Sequence, residues 1–145
     1  MSYSITRYHD FSAGHRVVGH ESKCAYLHGH NYRVHFYARS KFTEDHNALD
    51  KVGRVVDFSV LKELGFWLED NWDHRTLIWQ QDPMRNYLIE SFSDSVLQVP
   101  FNPTAENMAE YLTVAVGPRI LDQFGVVLYA VTVEETRKCS ARYSI

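Results

Sequence analysis

The chain has 145 residues, of which 45% are hydrophobic and 23% are charged, so it is long enough for one globular domain with a buried core. Its net charge of −3 lacks the positive excess of a nucleic-acid-binding protein, and no apolar run reaches the ~20 residues of a membrane-spanning helix. The sequence does not open with a signal-peptide pattern, and two cysteines are too few for a disulfide framework. We therefore expect a single domain over residues 1–145, located in the cytoplasm, with no nucleic-acid or membrane partner.

Two strands are predicted near the N-terminus. Residues 3–13 are rich in Tyr, Ile, Thr and Phe and end at a glycine, which predicts a first strand followed by a loop. Apolar and polar residues alternate over 31–40, as in a strand with one buried face. Antiparallel pairing of the two strands would bring His15, after the first strand, close to His28 and His30, which open the second.

The next segments are a polar connection, residues 43–51, and an amphipathic helix. After Asp57, apolar residues recur every three or four positions as far as Trp72, which predicts a helix with Asp57 at its N-terminus. Residues 75–103 show no clear period. A short helix within 87–97 and an irregular segment remain alternatives there.

A second helix is predicted to begin after Pro103 and to end at Gly125. Thr104 is a suitable N-cap, and Glu106 favours the positive end of the helix dipole. A glycine and a proline at 117–118 should kink this helix. Its expected core-facing row consists of Met108, Leu112, Val116, Ile120 and Phe124.

Two closing strands are predicted at residues 126–136 and 139–145. One face of the first would carry Val127, Tyr129, Val131, Val133 and Glu135, so a carboxylate would complete an otherwise apolar face. The expected fold class is therefore α+β, with four strands and two helices in the order ββααββ.

Three histidines and a cysteine are the strongest candidates for chemistry. Side chains two apart on a strand point the same way, so His28 and His30 can reach one metal ion, and His15 would complete a three-histidine site with an open fourth position, as in catalytic zinc sites. Cys24 would be a further ligand or a reactive thiol whose pKa the cation lowers. The alternatives are a coincidental histidine cluster at the surface and an inert buried thiol.

Two further candidates for chemistry are the Asp73-His74 pair and Glu135. Asp73 and His74 follow the predicted helix and are either a solvated helix end or, beside a zinc–cysteine site, a proton relay. Glu135 is either a paired structural charge or a carboxylate that accepts two parallel hydrogen bonds from a ligand.

Six short motifs carry a family resemblance across nearly the whole chain. They are Phe11-Ser-Ala-Gly-His15, Cys24-x-x-x-His28-Gly-His30-Asn-Tyr, Val56-Asp57-Phe58, Asp73-His74, Pro103-Thr-x-Glu106-Asn107 and Glu135-Thr136. In this order they resemble the 6-pyruvoyl-tetrahydropterin synthase / 6-carboxytetrahydropterin synthase family.

The resemblance implies a zinc enzyme that acts on a small molecule, 7,8-dihydroneopterin triphosphate. It assigns zinc binding to His15, His28 and His30. It assigns proton abstraction to Cys24, with help from Asp73 and His74. Substrate binding is assigned to Thr104, Glu106 and Glu135, the last of these anchoring the 2-amino-pyrimidinone edge of the pterin.

The resemblance also implies the tunnelling fold, in which four-stranded antiparallel sheets with two helices on one face join into a barrel of three subunits. Two such trimers form a homohexamer with active sites at subunit interfaces. The Cys-x3-His-Gly-His spacing is similar to the branch that makes 6-carboxy-5,6,7,8-tetrahydropterin, acetaldehyde and triphosphate on the route to 7-deazapurines such as queuosine. We expect that activity. The alternatives are the sister 6-pyruvoyl-tetrahydropterin synthase, typically Cys-x5-His-Gly-His, and a non-catalytic pterin-binding protein.

Overall fold

A computed structural model describes residues 2–42 and 48–145, so most of the connection expected at 43–51 falls outside the described residues. The strands are β1 (Ile5–His15), β2 (His28–Ser40), β3 (Arg75–Trp79), β4 (Val96–Val99), β5 (Val126–Thr136) and β6 (Cys139–Ser144). They form one mixed sheet in the spatial order β4-β3-β1-β2-β5-β6.

The helices are α1 (Ser59–Asn71), α2 (Arg85–Phe92), α3 (Ala105–Tyr111) and α4 (Gly117–Leu121), and a π-helical turn, Leu112–Val116, joins α3 to α4. Side chains of α1, α3 and α4 pack in one cluster with the sheet, whereas Leu88 of α2 is buried outside that cluster. The core lies between the sheet and the helices, where Val34 and Phe36 of β2 pack in one cluster with Leu61 and Leu64 of α1. Within the described ranges, no helix has both the length and the apolar character needed to cross a membrane.

The predicted pairing of the first two strands is confirmed. β1 is antiparallel to β2 over the full length of β1, from Ile5 opposite Ala38 to His15 opposite His28. β1 ends later and β2 begins earlier than predicted, so that all three histidines lie within strands. Asp57 also acts as expected, because its Oδ1 accepts a hydrogen bond from the N–H of Ser59 at the start of α1 (2.8 Å).

The expectation of a four-stranded antiparallel sheet is wrong, because the sheet has six strands. The additional strands β3 and β4 and the helix α2 all lie within 75–103, the stretch without a clear period. β3 is parallel to β1, and β4 is parallel to β3. The five-residue β3 and four-residue β4 are short apolar runs, which periodicity alone does not distinguish from other buried segments.

A β-bulge corrects the predicted faces of β5. Tyr37 pairs with Ala130 but Ala38 pairs with Leu128, so Tyr129 is an extra residue in β5. The extra residue reverses the alternation, so Val127 and Tyr129 do not share the buried face of Val131, Val133 and Glu135.

The π-helical turn similarly shifts the core-facing row of the second predicted helix. Met108, Leu112 and Val116 are buried as expected. Beyond the wider turn, Leu121 is buried in place of Ile120, and Phe124 is 41% exposed. One extra residue in a helical turn moves the following side chains around the axis by about 100°.

Candidate metal centre and active site

The three histidines predicted as metal ligands converge where β1 ends and β2 begins. His15 lies directly opposite His28, and His30 is two residues further along the same face of β2. Their ligand nitrogens all lie within 4.8 Å of one another. Nε2 of His15 and Nε2 of His28 are 3.1 Å apart, close to the ~3.3 Å between neighbouring ligands of tetrahedral zinc. One metal ion could therefore contact all three side chains.

Main-chain carbonyls orient two of the three rings. Nδ1 of His15 donates to the carbonyl oxygen of Pro103, and Nδ1 of His28 donates to that of Tyr26, each at 2.6 Å. Because a carbonyl oxygen only accepts, each neutral ring carries its proton on Nδ1 and presents a lone pair at Nε2. Two lone pairs 3.1 Å apart repel each other unless a cation lies between them, so this arrangement fits a metal ion.

Burial favours the neutral, metal-binding form of two of the three rings. Burial lowers the pKa of His15 to about 4, although the hydrogen bond to Pro103 opposes it. Burial also lowers the pKa of His30, against the opposing charge of Glu135. Within the described part of the chain, the buried Nε2 of His30 has no hydrogen-bond partner, and a metal ion would supply the missing contact. Three neutral imidazoles with an open position suit zinc.

A cavity of about 290 Å³ is lined by two of these histidines, His15 and His28, and Cys24 lies in its wall. Cys24 is half-buried on a short 3₁₀ turn, Lys23–Ala25, and it is a free thiol. The cavity is at the lower end of the size range of small-molecule sites. A ligand held by a metal ion at the histidines would therefore lie beside the Cys24 thiol.

The start of α3 forms another wall of this cavity, through Thr104 and Glu106. Oγ1 of Thr104 caps the helix by accepting a hydrogen bond from the N–H of Asn107 at 3.2 Å. Glu106, in the first helical turn, is exposed to solvent at the cavity.

Glu135 reaches the cavity from a second bulge in β5. Glu134 pairs with Ser140 and Thr136 pairs with Cys139, so Glu135 has no partner on β6. Bulges beside functional sites commonly redirect a side chain. The Glu135 carboxylate oxygens lie 4.0 Å from Nε2 of His15 and 3.7 Å from Nε2 of His30.

The structure separates Asp73 and His74 from Cys24. Nδ1 of His74 is 3.0 Å from Oδ1 of Asp73, which also accepts a hydrogen bond from the N–H of Ser12 at 2.9 Å. Burial raises the pKa of Asp73, but these hydrogen bonds outweigh it and the pKa lies below its ordinary value. His74 has a positive φ of 59° and is 83% exposed. It lines a second depression together with Asn31 and two of the ligand residues, His28 and His30, whereas Cys24 lines the first cavity.

Sequence reasoning missed several parts of the cavity. His20 and Cys139 line it, and the carbonyls of Pro103 and Tyr26 orient the ligand rings. A carbonyl oxygen leaves no trace in the residue type, so no sequence pattern could have identified those two positions. The position of Cys139 opposite Thr136 does follow from the hairpin of the two closing strands, which the sequence predicted.

The three convergent imidazoles could hold a metal ion beside a cavity lined by a thiol and two carboxylates, an arrangement of the kind found in enzymes. The family model for 6-pyruvoyl tetrahydropterin synthase matches residues 4–145. The chain therefore belongs to the 6-pyruvoyl tetrahydropterin synthase family.

Curated relatives support the same family. The 6-carboxy-5,6,7,8-tetrahydropterin synthases of Rickettsia bellii and Rickettsia typhi are 36% and 35% identical to this chain over 136 residues, which is 92% of this chain and 94% of each relative.

Solved structures share the fold. An uncharacterized Wolinella succinogenes protein, WS1659, superposes with a TM-score of 0.85 at 25% identity and covers 99% of this chain and 98% of its own. A catalytic-residue mutant of Plasmodium vivax 6-pyruvoyltetrahydropterin synthase superposes with a TM-score of 0.70 at 21% identity, over 100% of this chain and 99% of its own.

Proposed function

We propose that this chain is a zinc-dependent 6-carboxy-5,6,7,8-tetrahydropterin synthase. It would convert 7,8-dihydroneopterin triphosphate to carboxytetrahydropterin, acetaldehyde and triphosphate, in the cytoplasm, on the route to 7-deazapurines such as queuosine. The observation that carries the proposal is that Cys24 shares a cavity with His15 and His28, two members of the three-histidine cluster, in a chain whose curated relatives bear that name.

A zinc ion at His15, His28 and His30 would supply Lewis-acid chemistry to the hydroxyl groups of the substrate side chain. Cys24 lies in the wall of the same cavity, so its thiolate would accept a proton from a carbon of that side chain. The two carbonyl-tethered rings hold their ligand atoms in place before substrate binds.

The carboxylates would bind the pterin ring. The 2-amino-pyrimidinone edge presents adjacent N–H donors, which a carboxylate accepts in parallel. Glu135 and Glu106 both line the cavity, and Thr104 offers a hydroxyl at the start of α3. We assign Glu135 the anchoring role and Glu106 and Thr104 supporting contacts.

Asp73 and His74 would act on a neighbouring subunit. In one protomer His74 and Cys24 line different depressions, so we assign the assistance by Asp73 and His74 to the Cys24 of another subunit, across an interface. We therefore propose a homo-oligomer, a hexamer of two stacked trimers, in which the exposed edges of β4 and β6 are covered by other subunits.

The direct test is mass spectrometry of the products after zinc-loaded protein is incubated with 7,8-dihydroneopterin triphosphate. Carboxytetrahydropterin together with acetaldehyde is the expected result. The Cys24→Ala variant should retain zinc and bind pterin while its turnover falls by at least about a hundredfold, because general-base catalysis typically contributes that much.

Other results would change the assignment. A pyruvoyl product would indicate the sister synthase, whose name the matching family model and several fold neighbours carry. Unchanged substrate, with zinc and pterin bound, would indicate a pterin-binding protein without this activity. Loss of zinc and of the fold in Cys24→Ala would make Cys24 a structural ligand and contradict the catalytic assignment.

A further inference from the structure

We propose that Asn102 is a positioning residue for Cys24, and that it acts by clamping the loop that carries this cysteine to the start of α3. The proposal rests on the proposed catalytic role of Cys24. The loop, residues 16–27, joins β1 to β2 and contributes His20 and Cys24 to the cavity wall. Most of its residues are half-buried or exposed, so its own packing does not fix the thiol.

The clamp consists of two hydrogen bonds between the Asn102 side chain and one residue of the loop. Oδ1 of Asn102 accepts from the N–H of Val18 at 3.0 Å, and Nδ2 of Asn102 donates to the carbonyl oxygen of Val18 at 2.9 Å. The amide thus satisfies both main-chain groups of Val18, as a neighbouring strand would. This pairing needs both a donor and an acceptor, which an asparagine or glutamine side chain provides.

A main-chain bond carries this constraint to the cysteine. The N–H of Val17, next to the clamped residue, donates to the carbonyl oxygen of Cys24 at 3.0 Å. The segment Val17–Val18 is therefore held on one side by Asn102 and holds Cys24 on the other. Only two hydrogen-bonded steps separate the Asn102 amide from the main chain of the thiol residue.

The main chain of the same turn organises the rest of the site. The carbonyl oxygen of Asn102 accepts from the N–H of Thr104 at 2.7 Å and from Nδ2 of Asn107 at 2.9 Å. The next carbonyl, that of Pro103, orients the ring of His15. The position of Cys24 relative to the metal ligands and to α3 therefore depends on this turn.

A second contact anchors the base of the loop but is unsuitable as a probe. Nε of Arg16 donates to Oδ2 of Asp82 at 2.6 Å, and the Asp82 side chain is fully buried. Removing either partner would leave an unpaired charge and destabilise the whole domain by about 3–5 kcal/mol. The half-buried Asn102 carries no charge, so its replacement tests the loop with less effect on the fold.

The experiment measures alkylation of Cys24 by iodoacetamide across the neutral pH range in zinc-loaded protein. It uses the Cys139→Ser background, in which Cys24 is the single cysteine of the chain. Asn102→Ala should change the alkylation rate near pH 7 by about threefold or more and alter its pH profile, while bound zinc stays at the wild-type level. With 7,8-dihydroneopterin triphosphate, kcat should fall by about tenfold to a hundredfold with little change in KM, the effect expected of a misplaced reactive group.

Asn107→Ala is the matched control. It removes a half-buried amide that bonds to the same Asn102 carbonyl but leaves both bonds to Val18, so the alkylation profile should follow that of the parent protein. Asn102→Asp keeps the acceptor and loses the donor, and should resemble Asn102→Ala. An unchanged profile in a folded, zinc-loaded Asn102→Ala protein would overturn the proposal, as would an equal effect of Asn107→Ala. Alkylation needs no substrate, so this outcome is independent of whether the proposed reaction is correct.

Discussion

At the scale of single residues, Glu106 and Glu135 place the same functional group in two different surroundings. Glu135 lies within 4.0 Å of two ligand nitrogens, whereas Glu106 is exposed at the start of a helix. We expect Glu135→Gln to weaken both zinc and pterin binding, because it removes negative charge beside the cation and one partner of the ring edge. Glu106→Gln should weaken pterin binding alone.

Each loss in pterin affinity should be about tenfold or more, as for other hydrogen bonds to charged groups. Zinc affinity is measured by competition with a chelator, and pterin affinity by quenching of protein fluorescence. Equal weakening of zinc binding by both substitutions would contradict the assignment of Glu135 to the metal side of the cavity.

The Asp10–Arg33 pair gives a pH prediction at the same scale. The two residues lie directly opposite each other on β1 and β2 and form hydrogen bonds of 2.8 and 2.9 Å. The hydrogen bond from Arg33 lowers the pKa of Asp10, although slight burial opposes it. A carboxylate with a lowered pKa stabilises the fold above its unfolded-state pKa, and this stabilisation is lost as the pH falls through the folded-state value.

Asp10→Asn should therefore be slightly less stable than the parent near pH 7, by less than about 1 kcal/mol because the pair is solvent-exposed. The difference should shrink as the pH falls below the ordinary value of 3.8 and disappear once Asp10 is protonated in the folded protein. Urea unfolding at pH 7 and at a series of acidic pH values measures the difference. A difference in unfolding free energy that increases at acidic pH would show that the pair does not act through its charge.

At the scale of elements, the sequence predicted the parts of the fold with a long, regular period. Alternation over 31–40 and the three-to-four-residue spacing after Asp57 led to β2 and α1, and pairing β2 with β1 assembled the histidines. Because the ligands lie on this one strand pair, the metal site was predictable without the rest of the sheet.

The missed features were short or depended on one extra residue. β3 and β4 are too short to show a period, and their parallel pairing depends on long-range contacts. The bulge at Tyr129 and the π-helical turn at 112–116 each shift a regular pattern by one position, and both are set by tertiary packing. The separation of His74 from Cys24 likewise depends on tertiary structure, because both residues lie in connections between strands and line different depressions.

Gly65 of α1 allows the helix to approach β1 closely, and this gives a prediction about that packing. A Cβ atom at this position would lie 2.7 Å from Nδ1 of His9, whose Nε2 is 3.2 Å from Oε1 of Glu69. Glycine-to-alanine changes inside helices normally stabilise a protein by about 1 kcal/mol. Here Gly65→Ala should instead destabilise it by about 1–3 kcal/mol, because the histidine must move.

The same substitution in a His9→Ala background should recover the ordinary stabilising effect, since the obstructing ring is absent. Thermal unfolding of the four proteins in this double-mutant cycle measures the coupling. Additive effects of the two substitutions on the free energy of unfolding would show that the close contact with His9 does not cause the destabilisation by Gly65→Ala.

At the scale of the whole molecule, the candidate metal site joins β1 and β2, the strands with the longest pairing in the sheet, so zinc binding should stabilise the domain. Ligand binding to the folded state alone adds about 2.7 kcal/mol when free ligand is at a hundred times its Kd. Zinc should therefore raise the Tm of the wild type, and His28→Ala should abolish most of this rise.

His35→Ala provides the control, because His35 lies on the same strand but points to the other face and contacts Glu134 at 3.1 Å. Its zinc-induced rise in Tm should equal that of the wild type, as measured by differential scanning calorimetry. A full rise in His28→Ala would place the zinc elsewhere.

Subunit mixing tests the shared active site. If His74 of one subunit serves Cys24 of another, the inactive variants Cys24→Ala and His74→Ala should restore activity when refolded together. With random assembly, about a quarter of the sites would contain both intact residues, so about a quarter of wild-type activity is expected. No recovery in mixed oligomers of confirmed composition would place the complete site within one subunit.

The bulge at Tyr129 also sets how changes of chain length act on this strand. Removing Tyr129 would leave Leu128 opposite Ala38 and Ala130 opposite Tyr37, an uninterrupted antiparallel ladder, so a one-residue deletion there preserves the pairing of β5 with β2. A one-residue deletion between Val131 and Glu134 would instead turn Glu135 to the far side of the sheet, away from the histidines. We therefore expect a one-residue deletion at Tyr129 to be tolerated, whereas the same deletion a few residues later in β5 should inactivate the protein.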